Sequence, residues 1–470
     1  MTRTRTSSAL ELLVPLSRTD PRPLHKQLEH ELRDAIRSGR LAPAATLPSS
    51  RALAGQLRVS RGIVVEAYEQ LVAEGYLASR PGGLTQVART ASAKTARPAG
   101  PAPVRFAVDF RPGRPDVDQF PRAAWLRSVR RVLNETPSER FGYLDGRGTP
   151  ELRGAVADYL NRARGAAAEA EDVVVCTGFA QGLRLAALVL RADGARRLAV
   201  EDPSDPDYRA AAREAGLDVV GIPVDDAGLR VDRLVDTDAD AVLLTAAHQY
   251  PTGGVLPPDR RAALVTWATR RPGVVVEDDY DAEFRYDREP IGAIQGLAPE
   301  RVIYAGSASK VLAPGLRLGW LVAPTRLVPA IAAAKVTADL GSPAMDQLAF
   351  ADFLARGELD HHLRRMRPIY RRRRDALLGA LDRHLPDVRP VGASAGLHVL
   401  AWLPPDLDEG TVVSAATAAG IGVTGLAPRR IDPTGPGGLI FGYGAIVEEA
   451  IDAGVRRLAD IVAGLRSPVS

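Results

Sequence analysis

The chain contains four lysines, Lys26, Lys94, Lys310 and Lys335, and otherwise takes its positive charge from arginine. Both residue types carry a positive charge, but lysine can lose its proton and attack a carbonyl, which arginine cannot. Lys310 is singled out by its neighbours: Ser307 and Ser309 precede it and Arg317 follows, within a stretch that reads as strand, polar turn, Pro-Gly loop and strand. Such a set suits a Schiff-base lysine whose carbonyl partner also carries a phosphate. An ordinary loop lysine is the plainer alternative.

Pyridoxal phosphate makes four demands that can be sought elsewhere in the chain. It needs an amine for its aldehyde and a carboxylate to keep its ring nitrogen protonated. It needs a donor for its ring hydroxyl, and cationic, hydroxyl and backbone N–H partners for its phosphate. Lys310 is the amine. Asp278, closing the apolar run from Gly273, is the carboxylate, and Tyr280 is the phenol two residues on. Ser307, Ser309 and Arg317 suit the phosphate, with backbone N–H groups of the turn Gly178, Phe179, Ala180, Gln181, Gly182. Singly, each of these is common: an Asp-Asp-Tyr after a strand is usually a turn, and glycine-rich strand–helix turns occur throughout α/β folds.

The elements that must position these groups show a regular grammar from about residue 105 onward. Short apolar runs at 172–176, 197–200, 218–224, 241–244, 273–276, 302–304 and 317–322 alternate with helical segments. Alternation predicts an α/β fold with a large, mostly parallel sheet covered on both faces, its active groups at the carboxyl ends of the strands. The last third predicts a small C-terminal α/β part with a long basic helix from Asp360 to Leu385. Its run Arg371 to Arg374 reads as a solvated face or subunit contact.

The first ninety residues are written differently. Leu24, Leu28, Leu32 and Ile36 make one apolar helical face. Ser49 and Ser50 can cap a short helix, and Ser60 a second whose buried face is Ile63, Ala67, Tyr68 and Leu71. Residues 75–87 read as a hairpin around Pro-Gly-Gly. Helix, helix, turn, helix, hairpin is the order of a winged helix-turn-helix, whose second turn helix can enter a major groove. Arg51, Ser60 and Arg61, with Arg80 and Gly83 of the wing, are the candidates to face DNA. Between the two grammars, residues 89–104 are rich in Pro, Ala, Ser and Thr and read as an exposed linker.

Composition sets the outer limits. At 470 residues with 46% hydrophobic and 25% charged residues, the chain is a globular protein of two or more domains. Cys176 is the single cysteine, which excludes an intramolecular disulfide and fits a reducing compartment. No signal peptide and no run long enough to span a bilayer is read, so a cytoplasmic chain without a membrane partner is expected.

Residues 20–88 resemble the GntR-type winged helix, through the words around Pro23, Ser38, Leu47 and Val59. Two departures are Ala44, where that family usually has glycine, and the wing's Gly82-Gly-Leu84. Residues 108–465 resemble the fold-type I aminotransferase domain. Together the two resemble the MocR family of bacterial transcription regulators, through His248-Gln-Tyr-Pro-Thr-Gly253, Glu277 to Arg285 and Ser309 to Gly319. The resemblance implies a winged helix over 18–88, the linker over 89–104 and a pyridoxal-phosphate-binding domain over 105–470. The large part of that domain is expected over about 130–340, the small part over about 105–129 and 341–470. It further implies a cytoplasmic, head-to-tail homodimer on double-stranded DNA, with Tyr143 reaching the neighbouring subunit's phosphate and His248 a polar contact to the cofactor.

An aminotransferase must also hold its substrate's carboxylate, and here the signs are thin. Ile440 stands where the resemblance leads one to expect an arginine, with Arg429 and Arg430 nearby as substitutes. Residues 204–207 are acidic, without the usual aromatic or arginine, and Tyr250 replaces an asparagine. The expectation is therefore a transcription regulator responsive to pyridoxal phosphate, with or without an amine or amino acid as effector. A working aminotransferase carrying a DNA-binding domain is the alternative.

Overall fold

The structure is a computed structural model and describes residues 15–79, 84–89, 105–270, 273–286 and 291–466. The chain divides into two compact units, Met1–Val104 and Arg105–Ser470.

The first unit packs α1 (Leu24–Arg37), α2 (Ser50–Leu57) and α3 (Arg61–Ala73) against a two-stranded wing, β1 (Leu77–Ala78) paired antiparallel with β2 (Gln86–Val87). Its core joins Leu28, Leu32 and Ile36 of α1 to Val64, Ala67, Tyr68 and Leu71 of α3 and to Leu77 and Val87 of the wing. The expected face is corrected at one position: Val64 is fully buried, whereas Ile63 is only half-buried. Ser49 caps α2, its hydroxyl accepting from Ala52 N at 3.2 Å. Ser60 occupies the N-cap position of α3 but makes no capping bond. The Tyr68 hydroxyl donates to Pro48 O at 2.9 Å and ties α3 to the loop before α2. Ala44 adopts φ +65°, the left-handed conformation that glycine adopts without strain. The departure from the GntR-type pattern at Ala44 thus carries a backbone cost. Arg80 and Gly83 lie outside the described residues.

The second unit opens with β3 (Val108–Asp109) and builds an eight-stranded sheet in the order β4-β11-β10-β9-β8-β5-β6-β7. These are β4 (Val173–Cys176), β5 (Arg197–Asp202), β6 (Asp218–Asp225), β7 (Gly228–Leu229), β8 (Ala241–Leu244), β9 (Val274–Asp278), β10 (Val302–Ser307) and β11 (Gly319–Val322). Pairs β10–β9, β9–β8, β8–β5 and β5–β6 are parallel; β11 is antiparallel to both neighbours, and β7 to β6. Strand alternation sends Val274 and Val276 into one apolar cluster and Val275 into another, so both faces are covered.

A second sheet, β12 (Arg389–Val391), β13 (His398–Trp402), β16 (Gly438–Gly442) and β15 (Thr424–Gly425) in spatial order, is antiparallel. The strand β14 (Ile421–Gly422) pairs with β3, which joins the start of the unit to its end. The long helix Glu358–His384 contains Pro368 and carries the arginine run. That run is not a uniformly solvated face: Arg373 and Arg374 are buried, and Arg373 pairs with Asp116 at 2.7 Å. Among the described residues no helix is long and apolar enough to cross a membrane.

Candidate functional site

Five loops leave the carboxyl ends of β4, β5, β8, β9 and β10 and meet at a cavity of about 630 Å³. Phe179, Ala180, Asp278, Tyr280, Ser307, Ser309, Lys310 and Arg317 all line it, as the sequence leads one to expect. A larger groove of about 1110 Å³ between the helices Arg122–Glu135, Pro150–Arg164 and Ala344–Ala355 contains none of them.

Lys310 projects from a one-turn helix, Ala308–Val311, that follows β10 directly. Its Nζ donates to Gly113 O at 2.7 Å. Burial lowers the proton affinity of this amine, while Asp281, Asp278 and Asp205 pull the other way and do not restore it. A depressed ammonium is what a nucleophilic lysine requires. Asp278 ends β9 and is buried. Burial pushes its carboxyl up to about 8, against the pull of Tyr208, whose hydroxyl donates to Oδ2 at 2.6 Å. A carboxylate in this state gains from a fixed cation beside it.

Arg317 follows a short turn, Pro314–Leu316, with φ +51°. A non-glycine residue in this conformation costs of the order of 1–3 kcal/mol and is often found where function demands it. The only hydrogen bond of its guanidinium among the described residues is a long one, 3.5 Å to Pro314 O. No carboxylate pairs with it among the described residues. A Cβ on Gly178 would stand 3.1 Å from an Arg317 nitrogen, and φ +103° at that glycine suits no other residue. Ser307 and Ser309 make no side-chain hydrogen bond among the described residues. These groups, with the start of the helix Phe179–Ala192, form an anion cradle without an anion partner of its own.

Behind Tyr280 lies a buried polar group. The Tyr280 hydroxyl is 3.0 Å from His248 Nδ1, and that nitrogen is 3.1 Å from Asp281. Burial disfavours a charged imidazole here, but the Asp281 carboxylate prevails and raises the His248 pKa. Gly396, at φ +77°, lets the chain pass: a Cβ there would meet His248 and Asp281 at 2.2 and 2.4 Å. His398 tilts against His248 with ring centroids 5.0 Å apart, and burial holds its pKa well below the ordinary value. His248 itself does not line the cavity; it touches Tyr280 from behind. Tyr143 is 92% exposed and also lies outside its own chain's cavity.

Several lining residues go beyond the sequence expectation. Tyr208 stands one residue past the acidic segment 204–207, with no local pattern to mark it. It lies against Phe179 with ring centroids 4.9 Å apart and holds Asp278. Asp281 and Asp205 also line the cavity, as do Arg111 and Arg114, both engaged by Asp109. Asp205 belongs to the acidic segment 204–207 and Asp281 to the word from Glu277 to Arg285, but neither is singled out as a lining residue by the sequence. The two substitute arginines divide: Arg429 lines the cavity, whereas Arg430 donates to Thr434 O and Pro436 O and does not. Ile440 is fully buried with Leu400 and Leu426 and does not line the cavity.

Residues 24–87 match the bacterial regulatory proteins of the gntR family, and residues 108–428 match aminotransferase class I and II. The chain is 34% identical over 463 residues to the HTH-type pyridoxine biosynthesis transcriptional regulator PdxR of Corynebacterium glutamicum, covering 96% of this chain and 99% of that one. It is 30% identical over 480 residues to the probable rhizopine catabolism regulatory protein MocR of Rhizobium meliloti, covering 97% of each. The chain belongs to the MocR family of transcription regulators. A GntR-type winged helix and an aminotransferase-like fold in one chain identify a DNA-binding regulator rather than a free-standing aminotransferase. Among solved structures, this MocR-family chain aligns with the multiple substrate aminotransferase of Thermococcus profundus at TM-score 0.71 and 27% identity, over 77% of this chain and 92% of that one. It aligns with LysN, the α-aminoadipate aminotransferase of Thermus thermophilus, at TM-score 0.70 and 30% identity, over 76% and 92%. That structure is a complex with N-(5'-phosphopyridoxyl)-L-leucine.

Proposed function

We propose that this regulator binds pyridoxal 5'-phosphate in the cavity around Lys310 and that binding changes its affinity for DNA. One observation carries the reading: a neutral-prone lysine, a buried carboxylate raised to about 8 and an anion cradle around Arg317 line the same cavity. The donor set fits the cofactor on chemical grounds. Asp278 is a buried acid short of a cation, and Arg317 is a cation short of an anion. When bound, pyridoxal phosphate supplies an aldehyde for an amine, a protonated ring nitrogen and a dianionic phosphate.

Each residue then has one task. Lys310 presents its amine to the aldehyde, and Asp278 holds the proton on the ring nitrogen. Tyr208 holds Asp278 in place, and Tyr280 donates to the ring hydroxyl with His248 behind it. Ser307, Ser309, Arg317 and the backbone at Phe179 and Ala180 take the phosphate. Exposed Tyr143 is assigned to the phosphate of a second chain in a head-to-tail homodimer. Arg51, Ser60 and Arg61, at the starts of α2 and α3, face the DNA backbone and major groove. Such a regulator works in the cytoplasm. Control requires only that the cofactor bind one arrangement of the domains better than another.

The test has two readouts. Purified protein titrated with pyridoxal phosphate should gain visible absorbance, and borohydride should fix the cofactor's mass on Lys310. A footprint on DNA upstream of the protein's own gene should differ with and without the cofactor. A protein that takes up no cofactor, or a footprint indifferent to it, overturns the reading.

A further inference from the structure

Lys335 is the second lysine of the aminotransferase-like unit, and the cofactor set does not employ it. It lies on the helix Val328–Asp339, is fully buried and does not line the Lys310 cavity. An ammonium taken out of water is costly unless it is paired. Its Nζ donates to both oxygens of Asp339, one turn later, at 2.7 and 2.6 Å. Asp339 has further partners. Its Oδ2 also accepts from Gln181 Nε2 at 2.7 Å, and its Oδ1 from Gly341 N at 3.0 Å. Burial opposes the charge on this carboxyl, but the bonds from Lys335 and Gln181 prevail and hold its pKa below the ordinary value.

Gln181 carries this chain of contacts to the anion cradle. It is the third residue of the helix Phe179–Ala192, and its Oε1 accepts from Thr177 N at 2.8 Å. A carboxylate only accepts and a backbone N–H only donates, so the two ends of the Gln181 amide are fixed in this orientation. The bond closes over Gly178, Phe179 and Ala180, whose backbone belongs to the cradle. Gly178 stands at the N-cap and has no side chain with which to hold the helix start, so Gln181 holds it from within the first turn. The N–H groups of Phe179 and Ala180 have no partner among the described residues and stay open to an anion.

We propose that the ion pair of Lys335 and Asp339, acting through Gln181, fixes the turn 177–180 for a phosphate ester and so sets the preference of this regulator for pyridoxal phosphate over pyridoxal. The proposal rests on the reading of Lys310 as the cofactor lysine. Lys335 and Asp339 touch no ligand; they are positioning residues. A lone carboxylate at Asp339 would hold Gln181 as well, but it would add a negative charge behind a site for a dianion. The buried ammonium of Lys335 cancels that charge and leaves the acceptor in place. The aldehyde end of the cavity is built separately: Asp278 ends β9 and Lys310 follows β10, and neither contacts this pair. Only the phosphate end should depend on it.

Full-length protein is titrated with pyridoxal phosphate and, separately, with pyridoxal, each read by visible absorbance and by borohydride fixation. The parent protein should bind the phosphate ester more tightly. Lys335→Met together with Asp339→Ala deletes the pair without leaving a buried charge alone. That double variant should weaken pyridoxal phosphate by about tenfold, the scale of a lost hydrogen bond, while pyridoxal binds as before. Lys335→Met together with Asp339→Asn removes the same charges but keeps a carbonyl for Gln181, and should retain most of the preference. Gln181→Leu breaks the link from its other end and should match the first double variant. The assignment is overturned if the Asp339→Ala double variant keeps the preference, if both double variants lose it equally, or if pyridoxal weakens as much as its phosphate. A parent protein that takes up neither aldehyde overturns the cofactor reading and this one with it, whereas equal affinity for both overturns this one alone.

Discussion

Arg51, Ser60 and Arg61 stand exposed at the starts of α2 and α3, whereas Lys310, Asp278 and Tyr280 sit in a cavity walled by strand ends. The DNA contacts proposed for the first set lie in solvent, where salt screens charge and counterion release sets affinity. In the second, desolvation moves proton equilibria: Asp278 is pushed up to about 8, and Lys310 is lowered. The two units should therefore answer to different variables, DNA affinity to ionic strength and cofactor binding to pH. Substitutions can break that division or sharpen it.

The largest effect is expected at Lys310. Lys310→Ala should abolish all borohydride-fixed cofactor, measured by mass spectrometry, while the cofactor-free protein keeps its DNA affinity in a filter or gel assay. Loss of DNA binding as well would show that the units are not separable in this way.

A pH series on the cofactor-free protein comes next. The native Asp278 pKa of about 8 lies above its ordinary 3.8, so the native state holds a proton that the unfolded state releases. Stability from this group is fully present below about pH 4 and falls as pH rises toward 8, by at most about 1.4 kcal/mol per pH unit. Asp278→Asn lacks that dependence. In urea unfolding the variant should gain on the parent protein between pH 5 and pH 8, and parallel curves would remove Asp278 from the set of buried acids.

Tyr208→Phe removes the 2.6 Å hydrogen bond to Asp278, one that would be charge-assisted once a protonated ring nitrogen held Asp278 ionised. Cofactor affinity should fall by about 1.5–3 kcal/mol in an absorbance titration, with DNA affinity unchanged. Arg61→Ala probes the other setting. Operator affinity should fall by about 1–3 kcal/mol if Arg61 reads a base, or the salt slope should fall by about one unit if it contacts phosphate. Cofactor affinity should stay the same. The smallest effect is expected at Ala44, where φ is +65°. Ala44→Gly should stabilise the first unit by ~1 kcal/mol in thermal unfolding, without touching either function.

Much of the cavity was legible before the structure. A parallel sheet places chemistry at its carboxyl ends, so the residues closing β9 and β10 could be named from strand order alone. Tyr208 was not legible, because its role depends on the helix Pro206–Glu214 turning one residue toward Asp278. Ile63 and Val64 show the same limit in the first unit. Both are apolar and adjacent on α3, and only packing against α1 decides that Val64 is the buried one.

Residue type, with the serines and arginine beside Lys310, determined which side chain could supply a nucleophilic amine, because this chain uses lysine so sparingly. Sequence words likewise determined the pairing of a winged helix with an aminotransferase-like fold, since local propensity and apolar period are written residue by residue. The tertiary structure decided which charges remain unpaired. Arg429 and Arg430 are neighbours of one type, yet one lines the cavity with neutral partners and the other is spent on backbone carbonyls. Arg430 finds its partners within six residues, but Arg429 meets Tyr250 179 positions away, and no local pattern encodes a contact that the fold alone brings together.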